Sequence, residues 1–283
     1  MQQLDIFADS RDTWLANAVI DALIARDAAR AGAAIEELRK EAPAHAHLSA
    51  FSLLCDFLRA LEWDGLPVVE ALERAEAELV PACAALGSRA EEFLHPFWRR
   101  LAQRATAPYD PVRPEAHAAA LWLRAGEYAR AEAAAREIPD GENRPEVLRW
   151  CCLATHRLGG LDAALPFVIR MAWIAPERLG ALVGELGEPL LARAWRDFGV
   201  ALGDLDASWF PAWFLHEHPA SALPADALPE NVPAAAAACT VLARLLQLEK
   251  RGHSPALVSL RGRLKGLGEG FYEFYMERRR VGR

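Results

Sequence analysis

The chain lacks any long apolar run. Among its 283 residues there is no uninterrupted apolar stretch of about 18 residues, the length that a membrane-crossing helix needs. The N-terminus also lacks the basic segment followed by an apolar one that marks a secretory signal. We therefore expect neither a membrane span nor a signal peptide, and we expect a cytoplasmic protein.

Cysteine is scarce, and its number is odd. The five cysteines fall mostly within apolar helical stretches, where a reduced thiol packs as a small hydrophobic side chain. Cys151 and Cys152 are adjacent, so on a helix they point about 100° apart, which suits neither redox pairing nor a shared metal ion. We expect buried thiols and no disulfide framework.

Lysine and β-branched residues are rare as well. There are 3 lysines against 29 arginines, a bias that together with the abundant alanine indicates a GC-rich genome rather than selection for phosphate binding. The formal net charge is −7, whereas a nucleic-acid binder carries a basic excess, so no direct sequence-specific nucleic-acid binding is expected. Because β-branched side chains lose rotamer freedom on a helix, this composition predicts an all-α fold.

Catalytic motifs are absent from the sequence. It contains no glycine-rich phosphate loop, no His-Glu-x-x-His, no Gly-x-Ser-x-Gly and no spaced cysteine pairs. His216-Glu217-His218 is a weak metal signal, because histidines two residues apart diverge on a helix and no third ligand follows at a recognised spacing. We expect no catalytic residue, no metal and no cofactor. The alternative is a hydrolase or metal enzyme that carries no recognisable motif.

What the sequence does contain is a two-helix pattern that occurs twice between Val112 and Pro176. Gly126-Glu127-Tyr128 followed by Ala131 recurs, 33 residues later, as Gly159-Gly160-Leu161 followed by Ala164. In each copy an amphipathic helix ends, the chain turns through glycine, and a second helix begins with an alanine suited to close packing. Such a helix pair cannot bury its apolar stripe alone, so the pattern predicts stacked neighbouring copies.

This pattern resembles the tetratricopeptide (TPR) family, whose repeats are helix pairs. The positions where that family packs its two helices correspond, in the copies from Pro145 and from Val112 respectively, to Leu148, Cys152, Ala164 and Met171, and to Glu115, Ala119, Ala131 and Ile138. Pro176 closes the later copy, whereas the earlier one lacks that proline. Ala31 precedes Pro43 by the same twelve residues that separate Ala164 from Pro176, so Asp27 to Pro43 resembles another second helix.

The resemblance implies antiparallel helix pairs stacked as an α-solenoid, and an irregular α-helical bundle is the alternative. We predict an N-terminal tail at residues 1–8, a helical region at 9–105, a TPR-like repeat region at 106–218, and a C-terminal helical cap with a basic tail at 219–283. Ala105 to Pro114 holds three prolines and is predicted to be a linker or a rigid bend. We interpret the aromatic cluster from Trp209 to Phe214 as the terminal core, with an exposed binding surface as the alternative.

In TPR proteins the first helix of each unit lines a concave groove. The resemblance assigns that position here to Arg113, Leu123, Arg124, Glu146, Arg149, His156 and Arg157. Four arginines on one surface of an acidic protein would suit a peptide carboxylate, because guanidinium groups pair with carboxylates bidentately. The alternative is that the arginines are solvated or paired with Glu115, Glu127 and Glu146.

The N-terminal segment Gln3-Leu4-Asp5-Ile6-Phe7 resembles the short peptide by which bacterial DNA polymerases and repair factors dock on the sliding clamp. That peptide is usually Gln-Leu-Ser/Asp-Leu-Phe, and this chain departs from it only at Ile6. The resemblance implies an extended peptide whose apolar side chains fill a pocket while Gln3 hydrogen-bonds at its rim. The alternative is that these side chains pack under the first helix, which is predicted to begin at Asp9 or Ser10.

Our leading hypothesis is therefore a non-enzymatic helical-repeat adaptor that binds a protein or peptide partner through the arginine-lined groove. The alternative is an accessory factor of DNA replication or repair that docks on the bacterial sliding clamp through Gln3 to Phe7.

Overall fold

Every element that the computed structural model describes is helical. The structure describes residues 6–60, 63, 65–219, 233–250, 252 and 254–281, and no strand occurs in these ranges. The prediction of an all-α fold is thereby confirmed. The α-helices are α1 (Ile6–Ile24), α2 (Ala28–Glu41), α3 (Leu48–Arg59), α4 (Val68–Arg74), α5 (Val80–Cys83), α6 (Ala90–Arg104), α7 (Ala118–Arg124), α8 (Tyr128–Arg136), α9 (Pro145–Ile174), α10 (Leu179–Leu186), α11 (Pro189–Leu202), α12 (Phe210–Glu217), α13 (Ala234–Glu249), α14 (Pro255–Leu267) and α15 (Glu269–Val281).

The chain folds into two compact units, Met1–Glu127 and Tyr128–Arg283, each with its own hydrophobic core. In the first unit α1 packs on α2, α2 on α3, and α6 on α7. The boundary therefore lies between α7 and α8, whereas the sequence predicted a linker or a rigid bend at Ala105 to Pro114. The two helices of the copy from Val112 belong to different units.

Aromatic rings fill the core of the first unit. Phe57 of α3 meets Trp63 at 5.1 Å and Phe97 of α6 at 5.6 Å between ring centroids, both edge to face. This is the geometry that the quadrupoles of two rings prefer. Arg104, at the end of α6, donates to the backbone carbonyl oxygens of Trp63, at 3.2 Å, and of Leu66. It thereby fastens α6 to the connection between α3 and α4.

Two helices, α1 and α7, end in the same C-terminal cap. At the end of α1 the N–H of Arg26 donates to the carbonyl of Leu23 and that of Asp27 to Ala22, both at 3.0 Å. At the end of α7, Gly126 and Glu127 donate in the same way to Leu123 and Trp122, at 3.1 and 3.0 Å. This is the Schellman motif, which needs a left-handed residue at its turn. Arg26, at φ 58°, and Gly126, at φ 71°, supply it.

A residue with positive φ that is followed by two buried apolar positions occurs five times in the described part of the chain. Gly160, inside α9, Gly187, after α10, and Gly252, before α14, have φ values of 73°, 62° and 95° and join Arg26 and Gly126. After each of the five, a buried apolar side chain follows four or five residues later and a second one seven residues beyond that. These pairs are Ala31 and Leu38, Ala131 and Ile138, Ala164 and Met171, Leu191 and Phe198, and Leu257 and Leu264.

The first three of these segments are those that the sequence pattern singled out. The segments after Gly187 and Gly252 lie outside the predicted copies, because Leu191 and Leu257 stand where the pattern has a small alanine. The positive φ recurs, but the turns differ, since ψ is −166° at Gly160 and 19° at Gly187. A repeated helix pair, and its stacking as an α-solenoid, stay predictions.

In the second unit α8 and α10 both pack on α9, and α12, α13, α14 and α15 follow in a chain of consecutive contacts. α9 turns at Gly160, whose φ of 73° and ψ of −166° are not helical, so it consists of two helical halves. Trp209, Phe210, Trp213 and Phe214 are all buried, which confirms the prediction that they form core.

The last three helices converge on a buried carboxylate, Glu249 of α13. Arg261 of α14 donates to its Oε1 at 3.1 Å, and Tyr275 and Arg279 of α15 also bond to it. Burial lowers the pKa of Arg279, but its charge is compensated by Glu249. This network fixes α14 and α15 against the end of α13.

Helices α2 and α14 each begin at a side-chain cap. Asp27 caps α2 by accepting from Arg30 N at 2.9 Å, and Ser254 caps α14 by accepting from Leu257 N at 3.3 Å. α1 begins at Ile6, whereas the sequence predicted a start at Asp9 or Ser10. Within the described ranges, none of the helices combines the length and apolar character needed to cross a bilayer.

Candidate partner-binding surfaces

The first half of α9 makes a row of three polar side-chain contacts with the elements that follow it: two ion pairs and one contact between His156 and a carboxylate. Arg149 Nε lies 2.6 Å from Glu185 Oε2 of α10, and His156 Nε2 lies 3.5 Å from Glu188 Oε2, just before α11. Glu146 pairs with Arg178, which lies just before α10. All three pairs are at least partly open to solvent, so each adds at most about 1 kcal/mol to stability.

Glu146 is held in its charged form by this row. Burial raises the pKa of Glu146, but the hydrogen bond and charge of Arg178, together with the charge of Arg149, lower it more. The net pKa therefore lies below the ordinary value. Each of these three α9 side chains lies beside a group of the opposite type, so the row presents no concentrated positive charge.

Arg157 stands apart from this row. It is exposed and makes no ion pair with any residue in the described ranges. At about 100° per residue, Glu146, Arg149, His156 and Arg157 share an arc of about 100° on α9. Four of the seven predicted groove residues therefore lie on one helix face, in the second unit.

The other three predicted residues lie in the first unit. Arg113 pairs with Glu73 at 3.2 Å, and Arg124 pairs with Glu76 at 2.7 Å while lying over the ring of Trp98 at 4.9 Å. Leu123 is half-buried. Three of the four arginines thus already hold a carboxylate.

The carboxylates are not those named by the sequence alternative. The alternative was that the arginines are solvated or paired with Glu115, Glu127 and Glu146, but Glu127 pairs with Arg99 at 2.6 Å and Glu146 with Arg178. The acids that do pair with Arg113, Arg124 and Arg149 lie 36 to 48 residues away in the sequence. Such distant contacts carry no local sequence signal.

The cysteines are unsuited to nucleophilic chemistry. All five are free and buried. Burial raises the pKa of Cys83, Cys152 and Cys239 to about 12, and that of Cys151 to about 11. Their thiols therefore stay protonated at neutral pH, and the prediction that Cys151 and Cys152 are packed in the interior is confirmed.

Both histidines of the His216-Glu217-His218 segment pack against aromatic rings. His216 Nδ1 lies 3.0 Å from Glu217 Oε1, and its ring packs against Phe274 at 5.3 Å. His218 packs against Phe214 at 4.6 Å. Burial lowers the pKa of His216. Within the described part of the chain no group of three or more His, Cys, Asp or Glu is placed to hold a metal ion.

One surface was not identified from the sequence. An open groove of about 690 Å³ lies beside α11, with α12 and α15 on its other side. Its α11 wall includes Leu190 and Val200, which are exposed although apolar, and Arg193 and Asp197 between them. In the sequence, this surface is indicated by Leu190 and Val200, two apolar residues on the otherwise polar face of an amphipathic helix.

The predicted clamp-binding peptide falls largely outside the described residues. Gln3, Leu4 and Asp5 are not described, nor are the side chains of Ile6 and Phe7, although the backbone of these two residues forms the start of α1. In the basic C-terminal segment, Arg278 lies 3.8 Å from Glu217 and Arg279 pairs with Glu249, so these two arginines are engaged within the fold.

Comparisons of the chain with protein-family models, curated proteins and solved structures found no significant match.

Proposed function

We propose that the chain is a cytoplasmic, non-enzymatic helical-repeat adaptor that binds a protein or peptide partner through the face of α9 that carries Arg149, His156 and Arg157. The observation that carries the proposal is Arg157, an exposed guanidinium without a carboxylate partner in the described ranges. Arg149 lies about two turns before it on the same face. A partner carboxylate binds Arg157 without displacing an internal acid.

The turns with positive φ that recur between helices support this role. A pair of short helices held by a left-handed turn presents one face of its first helix outward, and repeat proteins use such faces for binding. The protonated, buried thiols argue against cysteine-based catalysis in the same unit.

The test is the substitution Arg157→Glu, because Arg157 has no ion pair to lose. We expect the melting temperature to change by no more than about 2 °C. A charge-assisted hydrogen bond contributes about 1.5–3 kcal/mol, so partner affinity should fall by roughly 10- to 100-fold. The double variant Arg149→Glu/Arg157→Glu should abolish binding.

Arg263→Glu is the matched control, since Arg263 of α14 is also exposed and without an ion pair in the described ranges. Tagged wild type and variants are used for affinity purification from native lysate, and bound proteins are quantified by mass spectrometry. A synthetic C-terminal peptide of each captured protein is then titrated with a free or an amidated C-terminus. Equal capture by wild type and Arg157→Glu would exclude this face as the binding surface.

The second candidate function is docking on the bacterial sliding clamp as an accessory factor of DNA replication or repair. The specific observation is the pentapeptide Gln3 to Phe7, which departs from the clamp-binding pattern at one position. Docking as an extended peptide requires Ile6 and Phe7 to leave the first turn of α1, and helix ends fray readily. A calorimetric titration of purified clamp with wild type and with Leu4→Ala/Phe7→Ala decides this, and the absence of binding by the wild type rejects it.

A further inference from the structure

The outer face of α11 has a spacing that is the same in both directions and charges that become their opposites when the direction is reversed. Leu190, Arg193, Asp197 and Val200 follow one another at steps of three, four and three residues. At about 100° per residue they fall within an arc of about 80°, so they form one stripe along the helix. The order along the stripe is apolar, basic, acidic, apolar.

This stripe faces solvent. Val200 is 89% exposed and Leu190 48% exposed, and Val200 is the most exposed large apolar residue in the described ranges. The side chains of Arg193 and Asp197 are 79% and 57% exposed, and they lie 3.6 Å apart as an i,i+4 pair. A pair so exposed contributes little to stability, so both groups are free to change partners.

We propose that this stripe is the contact surface for a second copy of the chain, paired antiparallel through α11 about a two-fold axis at the level of residue 195. In that arrangement Arg193 of each copy lies at the same height as Asp197 of the other. Leu190 of each copy lies at the same height as Val200 of the other, because both pairs are centred on residue 195. A two-fold axis requires such a self-complementary surface.

The spacing also fits the geometry of paired helices. Steps of three and four residues are those of the a and d positions in a coiled coil, whose helix axes lie about 8–10 Å apart. With a rise of about 1.5 Å per residue, the two apolar contacts lie about 15 Å apart and enclose the two ion pairs. The open groove beside α11 leaves room for the second helix.

The contact is small, so the dimer is weak. α11 has 14 residues, which corresponds to a length of about 21 Å and a footprint of a few hundred Å² on each copy. Interfaces of this size are transient, and we expect a dissociation constant on the order of 10–100 μM. The dimer does not depend on the partner-binding role of α9.

Analytical ultracentrifugation over a concentration range of about 5–500 μM tests the proposal. The mass of the wild type should rise from 31.1 kDa toward twice that value. Val200→Glu should raise the dissociation constant at least about tenfold. Val258→Glu, at a valine that is 55% exposed on α14, should leave it unchanged.

Charge reversal separates a specific contact from a loss of folding. Arg193→Asp alone places aspartate opposite Asp197 of the other copy, and Asp197→Arg alone places arginine opposite Arg193, so each variant should dimerise at least about tenfold more weakly. The double variant Arg193→Asp/Asp197→Arg should regain the affinity of the wild type. An equimolar mixture of the two single variants should form a heterodimer, because every charge then faces its opposite.

Cysteine cross-linking reports the register directly. A mixture of Leu190→Cys and Val200→Cys chains should form disulfide-linked dimers, whereas either variant alone should not, since identical positions lie about 15 Å apart along the axis and a disulfide needs Cα atoms within about 7 Å. The five native thiols are buried and do not interfere. A wild type that stays at 31.1 kDa at the highest concentration, or a mixture of charge variants that does not associate, would overturn the proposal.

Discussion

Replacing Gly160 by alanine tests whether α9 is one helix or two. Gly160 has a φ of 73° and a ψ of −166°, a region that residues with a Cβ atom occupy at a cost of about 1–3 kcal/mol. A Cβ atom built at this position meets no heavy atom within 4 Å. The whole cost therefore comes from the backbone, and we expect Gly160→Ala to lower stability by about 2 kcal/mol.

Gly184 is a matched control, at which alanine should change stability in the opposite direction. It lies within α10, is exposed, and a Cβ atom there also meets no neighbour within 4 Å. Alanine is favoured over glycine in a helix by about 1 kcal/mol, so Gly184→Ala should stabilise. For a unit of this size 1 kcal/mol corresponds to about 2–4 °C, so the melting temperature should fall by about 4–8 °C in one variant and rise by about 2–4 °C in the other.

Thermal melts followed by circular dichroism at a single pH measure both shifts. A Gly160→Ala variant as stable as Gly184→Ala would show that α9 is continuous, because alanine stabilises a continuous helix at either position. The positive φ that Gly160 shares with Gly126 would then be lost, and with it the main structural support for a repeated helix pair.

Three further predictions concern single sites. Gly126→Ala should lower stability by about 1–3 kcal/mol in urea unfolding, since its φ is 71° and a Cβ atom would lie 3.3 Å from the ring of His95. Glu249→Gln should cost about 2–3 kcal/mol because it leaves two arginines without a buried counter-charge, whereas Glu269→Gln, at an exposed pair, should change stability by less than about 0.5 kcal/mol. Burial lowers the pKa of His216 in the folded chain, whereas the pKa in the unfolded chain is about 6.5. The unfolded chain therefore binds the proton first as the pH falls, and stability decreases below about pH 6.5. His216→Gln should reduce the loss of melting temperature between about pH 7 and about pH 5.

Features set by neighbours in the sequence were predictable. Ala31, Ala131 and Ala164 are fully buried where the pattern placed a close-packed alanine. Burial of the aromatic cluster followed from its size and apolar character.

Features set by distant partners were not predictable. The copy from Val112 is divided between two units, because α7 packs on α6 and α8 on α9, and no local pattern specifies that choice. Leu191 replaces the small residue that marks the other copies, so the turn at Gly187 went unrecognised. The acid partner of Arg149, Glu185, lies 36 residues away.

The number of arginines in the chain does not show which of them can contribute binding energy to a complex. An arginine that already holds a carboxylate, as Arg149 does, gains little from a partner carboxylate, because one charge-assisted bond is exchanged for another. Binding gains net free energy where a charge has no ion pair in the described ranges, as at Arg157, or where an apolar side chain is exposed, as at Leu190 and Val200. These are different helices with different chemistry, so Arg157→Glu should impair partner capture and leave self-association intact, and Val200→Glu should do the reverse.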